Sequence, residues 1–481
     1  MRTAKAMTGL MLAATLVAGC SSTGDVKGGA DGAGKGASDA FGRQDPAKAP
    51  VKLSVPPQYD GAKGWDETLG WVPDSVATLP FTDVPRSDLV AMLHGSSDGY
   101  TVQAKAGPGG KVGWSSVPWK VPTPIGGAEG NASAAKDVEI PDLMGFEQDG
   151  HGYVVAWAHG MSGKDALHEG TEVVRLAVFA SDASGAGVKP LREVDVPVSA
   201  SPNEVRVGAH GGRLLVAWGD TGPYPRSAAA VDVTTGTVTP YKDPNKLLPQ
   251  CAQSSLCQSS RVVAVSADGP LVSMGLGRGF GVPGRWFSDT VRPDGVQAKS
   301  GILDDWNGRA YGVAAGRLLA SWNVGGKYDS DGPSTWSVHD VRTGALLARM
   351  ECAYNETPDI LSQSPDHQTA ASPSGRYLAA GPVAFDLEKK RGICLAGDGN
   401  RKTIALVSVR DDGTAYGAVE EEVGSGADPA VAQVDLNSAT GDAKVLGTDV
   451  NVPALTDVGG SGLFVTRDDS KRILVSLRQG R

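Results

Sequence analysis

The chain has 481 residues, 40% of them hydrophobic and only 6% aromatic, and a formal net charge of −9. That length can bury one large core or several ordinary ones, and the acidic balance excludes an electrostatic footprint for nucleic acid or anionic lipid. With 65 glycines and 30 prolines, the composition favours many short strands and turns over long helices.

The first residues read as an export signal. Arg2 and Lys5 precede an apolar run, Met7–Ala18, that is too short to span a bilayer. The run ends Val17-Ala18-Gly19-Cys20. This is similar to a bacterial lipobox, a small-residue cleavage site followed directly by cysteine. The resemblance implies removal of residues 1–19 as a signal peptide, a diacylglycerol thioether on Cys20 and acylation of its new amine. Each buried methylene contributes about 0.8 kcal/mol, so two or three chains hold a soluble domain at a membrane. Residues 20–49 then form a lipidated tether. Its stretch Ser21–Lys48 is rich in Gly, Ala, Asp, Lys and Ser and lacks the apolar content to order itself, giving an end-to-end distance on the order of 30 Å. Without Arg2 and Lys5 the net charge becomes −11, which suits plain solubility.

Apart from Cys20 the chain has Cys251, Cys257, Cys352 and Cys394. An even number in an exported chain predicts disulfides, and four cysteines allow three pairings. The preferred set joins Cys251 to Cys257 across a local loop and Cys352 to Cys394 between neighbouring repeats. Zinc is the alternative, although no CxxC pair or nearby histidine completes a site.

From residue 50 to residue 481 the chain repeats a glycine turn followed by an apolar strand. After a possible strand at Val51–Val55 and an approach segment with Trp65 and Trp71, the pattern begins at Leu89–His94. Its anchors are Gly99, Gly152, Gly212, Gly269, Gly316, Gly375, Gly413 and Gly462, spaced 53, 60, 57, 47, 59, 38 and 49 residues apart. Four-stranded propeller blades recur at roughly 40–50 residues, so these units are expected to be blades with loop insertions. The near-continuous apolar character of stretches such as Arg213–Trp218 predicts strands covered on both faces. The expected fold is all-β, a propeller of eight or alternatively seven four-stranded blades. An N-terminal strand, either Val51–Val55 or one near Leu89–His94, should complete the last blade so that no sheet edge stays open.

A second signature runs strand, Asp, polar turn with glycine, strand. It appears in Val231–Val238, His339–Leu346, Phe385–Leu395 and Val434–Val445, with weaker versions at Asp182–Gly185 and Asp294–Gly295. The aspartate can accept backbone N–H bonds while the glycine takes the left-handed position. This resembles the outer hairpin of quinoprotein-like and WD-like propeller repeats. Together with the lipobox, it is similar to the propeller lipoproteins of high-GC Gram-positive bacteria. The resemblance implies location and architecture and is silent on ligand.

Candidate binding residues are aromatic. Trp157, Trp218 and Trp322 occupy one position in three repeats, where they could stack a flat ligand or fill the wedge between blades. Trp114 and Trp119, in the stretch Gly113–Trp119, could present two indoles to a carbohydrate or peptide. His151, His159 and His168 surround an acidic insertion, but loop histidines are usually solvated. Tyr328–Gly332 has part of a calcium loop and lacks the bidentate Glu. Glu420, Glu421 and Glu422 read as a solvated edge. The glycines of Met274–Gly284 match a bare GxGxxG without a βαβ unit around it. No nucleophile elbow and no Walker loop appears.

These residues predict a monomeric, lipid-anchored extracytoplasmic propeller without cofactor. It binds or scaffolds an envelope protein or glycan without catalysis. The alternative is an envelope enzyme on the same scaffold, either a quinoprotein-like dehydrogenase or a hydrolase or lyase.

Overall fold

The computed structural model describes residues 51–73, 76, 78–125, 140–199, 205–219, 227–248, 260–274, 278–296, 308–323, 334–354, 369–398, 400–420, 429–468, 470 and 472–481. Cys20, Cys251, Cys257, the tether, Tyr328–Gly332, Glu421 and Glu422 lie outside these residues. The compact unit that contains them spans Ala49–Arg481.

Among the described residues, helix is confined to one 3-10 turn, Pro244–Lys246, and the rest of the regular structure is strand. The strands form seven sheets, five of them with four strands. The first sheet gains a fifth strand because Gly185–Val188, from a loop of the second sheet, pairs in parallel with Val112–Ser116. The fifth sheet has eight strands, but it is two antiparallel four-stranded meanders joined at a single parallel pair, Arg349 and Arg391. Each sheet packs its faces against its neighbours. One apolar cluster fills the seam between the first and second sheets, another that between the second and third, and so on to the sixth and seventh. A last cluster, with Val90, Met92, Leu463 and Val475, joins the seventh sheet back to the first. Meandering sheets that bury one another's faces around a closed circuit make a β-propeller.

The circuit is closed by an N-terminal strand. Tyr59–Leu69 pairs antiparallel with Ile473–Gly480 and completes the seventh sheet outside three C-terminal strands. The strand differs from both sequence expectations: Val51–Val55 is not a strand, and Leu89–Ser96 is the second strand of the first sheet. The reason lies in Arg478. Its guanidinium is fully buried in this seam and donates to the carbonyls of Gly61, Trp65, Leu477 and Val51 and to Asp66 Oδ1 (2.6 Å). The closing strand therefore owes its place to polar contacts, and its own sequence is too polar to show an apolar alternation. It bulges between Tyr59 and Gly64, and a Cβ on Gly64 would sit 1.8 Å from the Leu477 carbonyl oxygen, so only glycine allows this approach.

Most of the predicted glycine anchors mark the turn between the first and second strands of a unit, but the register varies. Gly152 and Gly462 lie inside strands, and the left-handed positions fall just before them, at Asp149, Gly150, Gly459 and Gly460. Gly99 begins the third strand of the first sheet rather than the second. The Asp-turn signature is present as expected: Asp232 Oδ1 accepts the N–H groups of Thr234 and Thr235, and Asp340 Oδ1 those of Arg342 and Thr343.

The two ends of the sheets differ. First-to-second-strand turns have two to five residues, for example 149–150, 267–268 and 315–316. At the opposite end, the connections from a fourth strand to the next first strand reach 25 residues at 117–141, 19 at 242–260, 21 at 288–308 and 17 at 353–369. Antiparallel meanders put all of these long connections, with the second-to-third-strand loops, on one face.

Candidate functional site

The five candidate tryptophans separate into two groups. Trp114, Trp119 and Trp322 are buried in seams. Trp114 stacks on Phe179 between the first and second sheets, at 5.8 Å between ring centroids, and Trp119 packs in the same cluster. Trp322 lies in the seam between the fourth and fifth sheets. Its indole N–H donates to Ser337 Oγ (2.7 Å), which is 2.8 Å from His339 Nε2, while His339 Nδ1 is 3.0 Å from the Gly344 carbonyl. A carbonyl only accepts, so Nδ1 carries the proton and Nε2 accepts from the serine. Burial pushes the His339 imidazole down to about 4, keeping it neutral. Ser337 and His339 have the spacing of a nucleophile and its base, but both are fully buried and every donor is satisfied within the relay. This relay fixes strands.

Trp157 and Trp218 remain half-buried. Trp157 belongs to the second strand of the second sheet, His151–Ser162, and Trp218 ends the second strand of the third, Leu214–Trp218. Both pack against the cluster that fills the seam between those sheets. Alternation along His151–Ser162 sends Tyr153, Val155, Trp157 and His159 to the seam facing the third sheet, while Val154, Ala156 and Ala158 face the first.

Three polar groups stand beside the indoles. His159, with its side chain 3% exposed, places Nε2 at 2.9 Å from Glu172 Oε1 on the next strand. A carboxylate that accepts from one ring nitrogen fixes the ring and leaves the other, Nδ1, to face something else. That Nδ1 is buried with no hydrogen-bond partner, and so is the indole Nε1 of Trp157. The third group is Asp142, the direct cross-strand partner of Trp157 on the first strand of the sheet. Such pairs share a face with Cβ atoms about 5 Å apart. Burial pushes the Asp142 carboxyl up to about 6, against hydrogen bonds from the Leu143 amide and the Thr78 hydroxyl that favour its charge. On this hairpin an enclosed indole N–H, an enclosed imidazole nitrogen and a carboxyl that holds its proton more tightly than usual lie within a few residues of one another.

The other histidines of the acidic insertion do not join His159. His151 lies at the short-turn end, with Nδ1 3.1 Å from the Asp149 carbonyl. His168 sits in the loop 163–170 at the opposite end, where Asp165 accepts from its imidazole and from the Leu167 and His168 amides. That loop holds Leu167 89% exposed on the long-connection face. Among the described residues no three His, Cys, Asp or Glu side chains gather as a metal cluster would require. Cys352 and Cys394 are disulfide-bonded, joining the outer strands of the two meanders of the fifth sheet. Asp142 and Glu172 were not singled out in the sequence, because their roles depend on strand register across a hairpin.

No family model matches the chain, and no curated protein matches it. Solved structures match it at very low identity and low TM-score. The dipeptidyl peptidase 4 of Porphyromonas gingivalis is 10% identical with a TM-score of 0.36, covering 84% of this chain, which spans 58% of that protein's length. The β-propeller domain of the trilobed protease from Pyrococcus furiosus is 10% identical at a TM-score of 0.34, over 84% of this chain and 96% of that one. The WD40 domain of SCAP from fission yeast is 10% identical at 0.35, over 86% and 98%.

Proposed function

We propose that the protein is a lipid-anchored, extracytoplasmic propeller of eight four-stranded blades that binds an envelope protein or glycan, as a monomer and without catalysis. The eight-stranded sheet counts as two blades, because one parallel pair is all that joins its antiparallel halves. The observation that carries the binding role is the contrast between the two faces. First-to-second-strand turns at one end have two to five residues, whereas four of the connections between consecutive units, at the other end, run to 17 to 25 residues. Long connections on a rigid scaffold are where recognition residues concentrate. Lipidation at Cys20 rests on the Val17–Cys20 signal and would tether the propeller to the membrane through residues 20–49.

Two measurements test this reading. A photo-crosslinking residue at Leu167, on the long-connection face, should capture an envelope component that the same residue at Thr235, on the opposite face, does not. Equal capture from both positions would refute the assignment of the face. Cys20→Ala should release the chain into the medium, and its retention on membranes would refute the anchor.

A further inference from the structure

We propose that residues 51–58 are a strap that locks the seam between the sixth and seventh sheets, and that a load on the chain before them peels them away while the closing strand Tyr59–Leu69 stays paired. The proposal rests on the anchor and the partner proposed above, since a chain tethered at its N-terminus is loaded when its long-connection face grips something. The strap is tied to both sheets and to the connection between them. The Val51 amide donates to Asp66, and its carbonyl accepts from Arg478 Nη2 (2.6 Å). The Leu53 amide donates to the Gly61 carbonyl (3.2 Å). The Ser54 carbonyl accepts from the amide and from the side chain of Asn451, each at 2.9 Å, in the connection that leaves the sixth sheet. Gln58 accepts from the Arg481 amide (2.8 Å) through its carbonyl and from the Tyr416 hydroxyl (3.0 Å) through Oε1.

Packing shows why this seam needs a strap. Among the described residues its apolar core has three buried side chains, Tyr59, Tyr416 and Phe464, and Leu53 and Val55 of the strap pack against them. The seam on the other side of the seventh sheet buries nine. Apolar burial scales with area, so the sparser seam is held less by burial and more by the strap's hydrogen bonds. The order of release follows from chain direction. Val51 lies beside Asp66, Leu53 beside Gly61, and the Tyr59 amide donates to the Pro56 carbonyl (3.0 Å), so the strap doubles back on the closing strand with Val51 at the open end. A pull from residue 50 acts on that open end and breaks the bonds one at a time, Val51 first. The closing strand is held by its own ladder, Gly64–Leu69 against Ile473–Arg478, which is loaded only after the strap has gone. Gly61 separates the two. A Cβ there would sit 2.3 Å from the Leu53 carbonyl oxygen, and Gly61 lies in the bulge, outside that ladder. The strap is thus a yielding link between anchor and ring, which lengthens under load and reseats when the load falls.

The test holds the mature chain, carrying Cys20→Ala, by its N-terminus and by a click-reactive residue in place of Leu167, and extends it in an optical trap. A reversible early step should add no more than about 26–29 Å, the reach of eight extended residues, and the ring should open only at higher force. Gly61→Ala should abolish the early step or lower its force and leave the later opening unchanged. Hydrogen exchange on the unloaded protein is the second measure and needs no variant to fold: the Leu53 amide should exchange faster than the slowest amides of Trp65–Leu69. Gly61→Ala should then speed Leu53 by about tenfold, the equivalent of about 1.4 kcal/mol, and leave Trp65–Leu69 as they were. A single event in which strap and closing strand leave together overturns the proposal. So does one common exchange rate for Leu53 and Trp65–Leu69, or a Gly61→Ala variant that speeds both alike. The two handles stand in for the lipid and the partner, so membrane retention of Cys20→Ala, or equal crosslinking from both faces, would defeat the wider reading and leave this result standing.

Discussion

Ring closure makes a sharp prediction, because one residue carries most of its polar contacts. Arg478 is fully buried and donates to four carbonyls and to Asp66, whose side chain is 15% exposed and also accepts from Ser476 Oγ (2.7 Å) and the Val51 amide. Arg478→Met should fit the aliphatic stem but leave the Asp66 carboxylate without its countercharge. Removing one member of a buried pair costs about 3–5 kcal/mol. The loss falls on the pairing of Tyr59–Leu69 with Ile473–Gly480, the one place where the two ends of the chain meet. At about tenfold per 1.4 kcal/mol, the amides of Trp65–Leu69 should open between about 10²- and 4 × 10³-fold more often. Hydrogen exchange followed strand by strand is the assay, and the second sheet serves as an internal control. Adding Asp66→Leu should recover much of the loss, since two apolar groups in place of a buried pair are often neutral. The reasoning fails if Trp65–Leu69 exchange at unaltered rates in Arg478→Met, or if the double variant is no better than the single one.

Three further outcomes follow from the same structure. Asp142 titrates near 6 when folded and lower when unfolded, so the folded state binds its proton more tightly. That preference stabilises the fold fully only below the unfolded value and is lost as pH rises through about 6. Asp142→Asn should accordingly raise the urea midpoint at pH 7.5, by about 2–3 kcal/mol in stability, and change little at pH 3.5. Ser337→Ala strips the buried Trp322 N–H and His339 Nε2 of their shared partner, and denaturant unfolding should show a loss of about 2–4 kcal/mol. Combining it with Trp322→Phe, which removes the stranded donor, should cost less than the sum of the two single changes. Replacing Cys352 and Cys394 by alanine opens a loop of 42 residues, and the lower unfolding midpoint should correspond to about 4 kcal/mol. Reduction of the unmutated protein should match it, and a smaller shift on reduction would mean that the alanines themselves disturb the core.

What the sequence discloses and what it conceals have one physical origin. Central strands such as Leu214–Trp218 are covered on both faces, so their side chains are apolar nearly without interruption and can be read directly. The Asp-turns are equally local: Asp232 and Gly236 do their work within five residues. Tyr59–Leu69 is different. It is an outer strand with charged and glycine residues, and its partner lies more than 400 residues away, so nothing within the stretch announces it. The available signal is an arginine at position 478, directly after the mostly apolar run Ile473–Leu477, which needs a buried countercharge somewhere. The hairpin His151–Ala180 and its neighbours divide in the same way. Trp157 and Trp218 are visible because each closely follows a repeat glycine, but the shared position expected for Trp157, Trp218 and Trp322 is not kept: Trp157 faces the following sheet, whereas Trp218 and Trp322 face the preceding one. Asp142 and Glu172 become visible only when the register sets Asp142 opposite Trp157 and carries Glu172 back across an eight-residue loop to His159. Repetition therefore reveals the scaffold, because each unit must solve the same burial problem. The residues that distinguish one unit from the next, Arg478 in the closing seam and the His159–Glu172 pair, depart from the repeat.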